Sequence, residues 1–284
     1  MFFIEILKAI VQGIVQGITE WLPISSTGHI LLLDAVWKMQ TDNPNFMDVF
    51  KVIIQLGSIM AVVVLYFHKL NPFSPKKSAT EKSDTWKLWL KVLVASIPTA
   101  IVGLLLNDIV DQYLSVPAVI AAALIIYGIA FIWMENRRHA DHADTVSSLQ
   151  DISYKRALGI GAFQTLALIP GTSRSGSTIL GATLLGTSRA VAAEFSFFMA
   201  IPVMLGASGL KFVKYFLLDG YTFSKEEWLL LLVATVVAFL VSLVVIRFLM
   251  AFIKKHSFAV FGWYRIALVI IVLLVLWLAP GVLK

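Results

Sequence analysis

A chain of 284 residues with 59% hydrophobic residues, 14% charged residues and a mean hydropathy of +0.86 is too apolar for a soluble domain. It contains no cysteine, which excludes disulfides, zinc–thiolate sites and thiol catalysis. Its net charge of +6 sits in short basic loops between apolar runs, which points to membrane topology and away from nucleic-acid binding.

Residues 2–22 are helical by pattern and stop at Pro23. Lys8, Gln12, Gln16 and Glu20 recur every four residues on one face, and Gly13 and Gly17 share a second face that admits a close neighbour. An interfacial amphipathic helix is the alternative for this segment, but the polar face is uncharged in its middle. The N-terminus has no basic stretch and Glu5 interrupts its apolar run, so it reads as mature sequence and not as a cleaved signal. Pro23-Ile24-Ser25-Ser26-Thr27-Gly28-His29 follows, then a run at 30–37 too short to span a bilayer. Helix, small polar loop and short helix together predict a re-entrant hairpin.

Phe46–Phe67 predicts a span with Asp48, Lys51 and Gln55 on one face of its first half. A basic loop is expected at 68–85, a span at Trp86–Leu106 kinked at Pro98, an acidic loop at Asn107–Ser115, a span at Pro117–Met134 and a polar loop at Glu135–Ser153. Then the order repeats. Tyr154–Ile169 reads as a helix ending at a proline, Pro170–Ser177 as a polar loop and Thr178–Leu185 as a short apolar run. Spans are expected at Ala190–Leu210, Trp228–Met250 and Trp263–Leu278, with a loop at 211–227.

The fold class expected is therefore an all-α polytopic membrane protein forming a single integral membrane domain over 1–284. Its pseudo-repeats are 1–153 and 154–284, each one re-entrant helix–loop–helix plus three transmembrane helices. Three spans per half make the second half inverted relative to the first, an architecture in which broken helices meet near the midplane. Aligning Pro23 with Pro170 pairs Ser25-Ser26 with Thr172-Ser173. The basic loops near 68–87, 135–156 and 247–256 are assigned to the cytoplasm, and the acidic loop to the outside. Lys211, Lys214 and Lys225 run against that assignment.

The stretch Pro170-Gly-Thr-Ser-Arg-Ser-Gly-Ser-Thr178 stands out because it places an arginine between apolar runs. An arginine at bilayer depth costs roughly 2.5–3.5 kcal/mol even on lenient insertion scales, and irregular backbone persists there only inside protein or beside a wet cavity. The two hairpin loops would bring together Gln16, Glu20, Ser26, Thr27, His29, Ser173, Arg174 and Thr178. Taken singly, a membrane hydroxyl ordinarily bonds a neighbouring backbone, and a lone histidine ordinarily packs. Acid, hydroxyl, imidazole and guanidinium in two matched loops suggest phosphate chemistry instead. Arg174 can grip a phosphoryl group by two parallel bonds, and the glycine-containing loop can turn amides toward an anion. Ser26, with His29 or Glu20 as base, can attack phosphorus, while Arg174 and loop amides hold the developing charge.

Gln16-Gly-Ile-Thr-Glu20-Trp-Leu-Pro-Ile-Ser-Ser-Thr-Gly-His29 and Pro170–Thr178 resemble the two signature segments of bacterial undecaprenyl-diphosphatases of the bacitracin-resistance type. The resemblance spans nearly the whole chain and includes Ala193-Glu194-Phe195-Ser196-Phe197. It implies hydrolysis of undecaprenyl diphosphate to undecaprenyl phosphate, which recycles the carrier lipid for peptidoglycan and other cell-wall polymers. The place implied is the outer face of the bacterial cytoplasmic membrane. By the same resemblance Glu20, His29 and Arg174 are essential, Ser26 is the nucleophile, and Ser173 and Thr178 are phosphate-loop hydroxyls. The substrate-binding set is then Gln16, Thr27, Gly171, Ser173, Ser175 and Thr178. A divalent cation, Mg2+ or Ca2+, is implied as cofactor with Glu20 as its one candidate ligand. With Gln at 16 there is no paired carboxylate, so a metal held mainly by the substrate diphosphate is the other option. The partners expected are the polyprenyl diphosphate lipid and membrane lipids, with a homodimer left open.

Two alternatives stand beside this reading. Ser26-Thr27-Gly28-His29 loosely mimics the Ser-Gly-His of phosphatidic-acid-type phosphatases, but the next histidine after Arg174 is His256, in a basic loop. A lipid transporter would use the same inverted repeat, and carrier-lipid translocation is open as a second role. Direct attack by water, activated by Glu20, is the rival to Ser26 within the phosphatase reading.

Overall fold

The structure, a computed structural model, describes residues 2–114, 116–141 and 145–278. Every named element among them is helical. The first half holds α1 (Phe2–Thr19), α2 (Ser26–Val36), α3 (Phe46–Leu65), the single turn α4 (Phe67–Leu70), α5 (Ala79–Tyr113) and α6 (Pro117–Asp141). The second holds α7 (Tyr154–Thr165), α8 (Arg174–Leu184), α9 (Arg189–Phe212), α10 (Lys225–Phe252) and α11 (Ala259–Leu278). Among the described residues, six helices are long and apolar enough to cross a membrane, and the chain is a multi-pass membrane protein. Its outward surface fits that environment: Leu104, Leu105, Val244 and Trp263 are all more than 60% exposed, a coat that water would not tolerate.

Several helices run further than hydropathy suggests. α5 begins at Ala79 because Ser78 and Glu81 form a reciprocal capping box, so the basic loop expected to reach 85 ends earlier. It continues to Tyr113, so most of the expected acidic loop is helical, while Ser115 lies outside the described residues. The polar segment after Met134 stays helical to Asp141, and 142–144 lie outside the described residues. The expected 211–227 loop is helical at its start, where α9 passes into a π-helical turn at Val213–Leu218. A second capping box, Ser224 with Glu227, starts α10.

Several helix contacts recur when the halves are exchanged, although α8 also packs on α9 and α6 where α2 has no comparable contact with α3 or α11. α1 and α3 both lie on α10, and α7 and α9 both lie on α5. α3 meets α9, and α6 meets α11. Glycines permit the closest of these approaches. A Cβ at Gly13 or Gly17 would stand 2.6 Å or 2.7 Å from α10 atoms, so both are packing positions. Gly128 of α6 and Gly262 of α11 face each other reciprocally, each with the other's carbonyl at the site of its missing Cβ.

Polar contacts sort the helix ends into two groups. Lys69–Glu194 and Arg189–Glu135 pair α4 and α6 with the start of α9, and Glu135 also accepts from the Phe258 N–H before α11. Thr145 bonds Gly186, just past α8. At the other group, Lys8 and Glu5 of α1 bond Lys38 O and Gln40 N beyond α2, and Asn43 bonds Glu227 at the start of α10. The start of α1 is thus tied to the chain just past α2, and Thr145, which also accepts from Arg156 in the first turn of α7, to Gly186 just past α8.

Candidate active site

The site is built from two loops with one shared geometry. Ser25 and Ser173 are the only non-glycine residues with positive φ among the described residues, each at +74°. Each caps an 11-residue helix and accepts the N–H of the glycine three residues on, Gly28 or Gly176. The structural equivalents are therefore Ser25 and Ser173, one residue off the register obtained by aligning Pro23 with Pro170. Ser26 and Arg174 become the first residues of α2 and α8.

Glu20 joins the loops. Its Oε2 accepts from Ser26 Oγ at 3.0 Å and from Gln16 Nε2 at 3.0 Å. Its Oε1 accepts from Arg174 Nη2 at 3.1 Å, in an ion pair 4% and 11% exposed at the two side chains. Arg174 Nη1 donates to Ser196 O at 2.9 Å, and the guanidinium lies over the buried Trp21 ring, 5.6 Å from its centroid. Arg174 Nε has no partner among the described residues although it is buried.

These groups border a cavity of about 200 Å³. Of the residues expected from sequence, Glu20, Ser26, Thr27, Gly171, Ser173 and Arg174 line it. Gln55, Thr99 and Gln164 form a neutral polar wall that sequence reasoning did not assign to a site. Gln164 stands 148 residues after Gln16, the same spacing as the two strained serines, and donates to Thr99 at 3.1 Å. That spacing was the signal that would have found it.

Four expected site residues take supporting positions. Gln16 is fully buried against Glu20. Ser175 Oγ reaches back to Glu20 O at 3.1 Å and ties the loops together. Thr178 Oγ1 bonds Ser196 Oγ at 2.5 Å and Arg174 O at 2.9 Å, fixing the turn that carries the arginine. His29 stands outside the cavity lining. Its Nδ1 is 2.7 Å from Ser25 O one turn back, and its Nε2 is 2.7 Å from the Tyr264 hydroxyl, whose ring stacks on it. Both ring nitrogens are engaged and neither bonds Ser26, whose hydroxyl donates to Glu20.

Glu20 is the only carboxylate lining the cavity, and each of its oxygens already accepts from a neighbour, one of them a cation. No group of three or more metal-binding side chains occurs among the described residues. A hard divalent ion asks for several oxygens, so these residues do not fit a resident metal.

Fold and site together define a class: a multi-pass helical membrane protein in which two kinked loops close a carboxylate, a hydroxyl and a guanidinium around one small cavity. The chain belongs to the bacitracin resistance protein BacA family, whose family model matches residues 9–271. It is similar to the undecaprenyl-diphosphatase of Enterococcus faecalis, 56% identical over 268 residues that cover 94% of this chain and 96% of the relative. It is also 58% identical to that of Streptococcus thermophilus over 96% of this chain and 93% of the relative. The undecaprenyl-diphosphatase of Lactiplantibacillus plantarum is 57% identical over 95% of this chain and 97% of the relative.

Proposed function

We propose that this chain hydrolyses undecaprenyl diphosphate to undecaprenyl phosphate and inorganic phosphate, and so confers bacitracin resistance by recycling the carrier lipid. Family membership and the relatives' names support the reaction. The observation that carries the mechanism is the Ser26–Glu20–Arg174 relay, in which one carboxylate binds a hydroxyl through one oxygen and a guanidinium through the other.

Ser26 Oγ attacks the terminal phosphorus and passes its proton to Glu20 Oε2. The bond to the bridging oxygen breaks, and undecaprenyl phosphate leaves. Water then attacks the phosphoserine, Glu20 returns its proton to Ser26 Oγ, and phosphate is released. Arg174 turns from Glu20 toward the phosphoryl oxygens, with its partnerless Nε–H available as a further donor. The N-termini of α2 and α8 border the same cavity and favour negative charge there. His29 holds the start of α2 through Ser25 O and takes no proton from Ser26. A divalent ion, if the reaction uses one, would be carried by the substrate's diphosphate, whose charge it would screen, because the cavity offers Glu20 as its one carboxylate.

The two helix–loop–helix units are re-entrant hairpins of an inverted repeat entering from opposite membrane faces. The exchange symmetry of the packing, the shared +74° serines and the separate end groups all support this. The end group with Lys69, Arg189 and the 135–156 segment is basic and faces the cytoplasm. Thr99, Val203, Met204 and Ala207, in the halves of α5 and α9 remote from that end, line the cavity, which supports a site open to the outer side.

The test is phosphate release from undecaprenyl diphosphate by detergent-purified protein, with Arg174→Ala and chelator arms. Release that collapses in the variant supports the reading; no release by folded wild type with any divalent ion sinks it. The same exchange symmetry favours transbilayer movement of undecaprenyl phosphate as a second activity. Proteoliposomes showing no such movement would remove that activity alone.

A further inference from the structure

Arg265 lies in α11 and is 0% exposed. Its guanidinium reaches main-chain carbonyls of both loops: Nε donates to Pro23 O at 2.6 Å, Nη2 to Thr172 O at 2.9 Å and Nη1 to Gly171 O at 3.5 Å. It stands over the Tyr127 and Phe131 rings, with centroids 5.5 Å and 5.8 Å away. No carboxylate forms an ion pair with it among the described residues. A Cβ on Gly176 would meet Nη2 at 2.5 Å, so the group is wedged under the first turn of α8.

Two physical consequences follow. Carbonyl dipoles solvate a guanidinium but leave its charge, and Glu20 and Arg174 already neutralise each other. The site therefore holds one uncompensated positive charge in an apolar surround, a costly arrangement unless an anion arrives. The second consequence is directional. In a trans peptide the C=O and the following N–H point opposite ways. With Thr172 C=O drawn to Arg265, the Ser173 N–H faces away from it. Ser173 lines the cavity, and its N–H has no acceptor among the described residues. A positive φ at a serine persists only where its surroundings over-determine it, and Arg265 supplies that constraint from behind.

We propose that Arg265 is a positioning residue: it locks the two loops together by their carbonyls, aims the Ser173 N–H at the phosphoryl group and leaves a charge that the substrate's diphosphate balances. This rests on the hydrolase reading. The test compares Arg265→Lys and Arg265→Gln with wild type in detergent, measuring melting temperature, kcat, and affinity and stoichiometry for non-hydrolysable farnesyl methylenediphosphonate. Lysine keeps the charge and loses the three-way fork, so its affinity stays within about threefold while kcat falls at least about tenfold. Glutamine loses the charge as well, and its affinity falls by about tenfold or more. Wild-type kcat in Arg265→Lys overturns the proposal, whether or not Arg265→Gln folds. So does a fall in kcat matched by an equal fall in binding stoichiometry, which marks a merely structural arginine. If wild type releases no phosphate, the hydrolase reading fails, and the affinity arm still decides whether Arg265 prepares an anion site.

Discussion

The loop at Glu20–Ser25 and the loop at Ile169–Ser173 end in the same serine cap with the same backbone angle, yet the first leads into Ser26 and the second into Arg174. Glu20 has Leu168 as its counterpart and His29 has Ser177, whereas Gln16 finds its like in Gln164. The two caps share a backbone φ, and the side chains around them are complementary. Neither loop holds a site alone: the first lacks a cation and the second lacks an acid. The ion pair between Glu20 and Arg174 is where the unlike copies meet.

Exchanging those charges breaks the comparison most severely. Glu20→Arg alone sets two guanidiniums face to face, and Arg174→Glu alone sets two carboxylates together. Either single variant should lower the melting temperature, and the double variant should recover much of it. Phosphate release should still stay about 10⁴-fold down in the double variant, because Ser26 then has no base. Ser26→Ala keeps the pair and removes only the nucleophile, so kcat should fall by about 10³-fold at unchanged melting temperature. Turnover near wild type there would hand the attack to water. A finer contrast is Gln16→Leu against Gln164→Leu. The first strips a donor from Glu20 and should lower kcat by about tenfold, and the second touches only the neutral wall and should raise KM by about threefold. The smallest effect is expected at the caps. Glycine at Ser25 or Ser173 loses a cap bond and relieves the positive φ, so stability should change by no more than about 1 kcal/mol in thermal unfolding.

Much of this was legible in the residues. The polar loops announced themselves by interrupting apolar runs, and Gly13 and Gly17 by their spacing. Helix bounds were less so, because hydropathy reports where lipid lies and not where a helix stops. Ser78–Glu81 and Ser224–Glu227 are local start signals that act independently of hydropathy, and they set two helices earlier than the apolar pattern does. Arg265 was open to the argument that singled out Arg174, an arginine within an apolar run, but it stands near Trp263 and Tyr264, where a basic residue reads as an interfacial anchor. His29 illustrates the opposite limit: its place in a motif says it matters, and only the structure gives its hydrogen bonds.

The reciprocal packing also governs how the chain is made. α1 and α3 lie on α10, so the first hairpin waits for its partner until residues 225–252 have left the ribosome. α5 waits likewise for α7 and α9. A chain cut near residue 153 would hold helices whose glycine faces have nothing to close on. Assembly is thus expected to come late, because these contacts join helices far apart in sequence. During synthesis the half-built protein depends on lipid, or on the insertion machinery, to shelter the faces that its own second half will later cover.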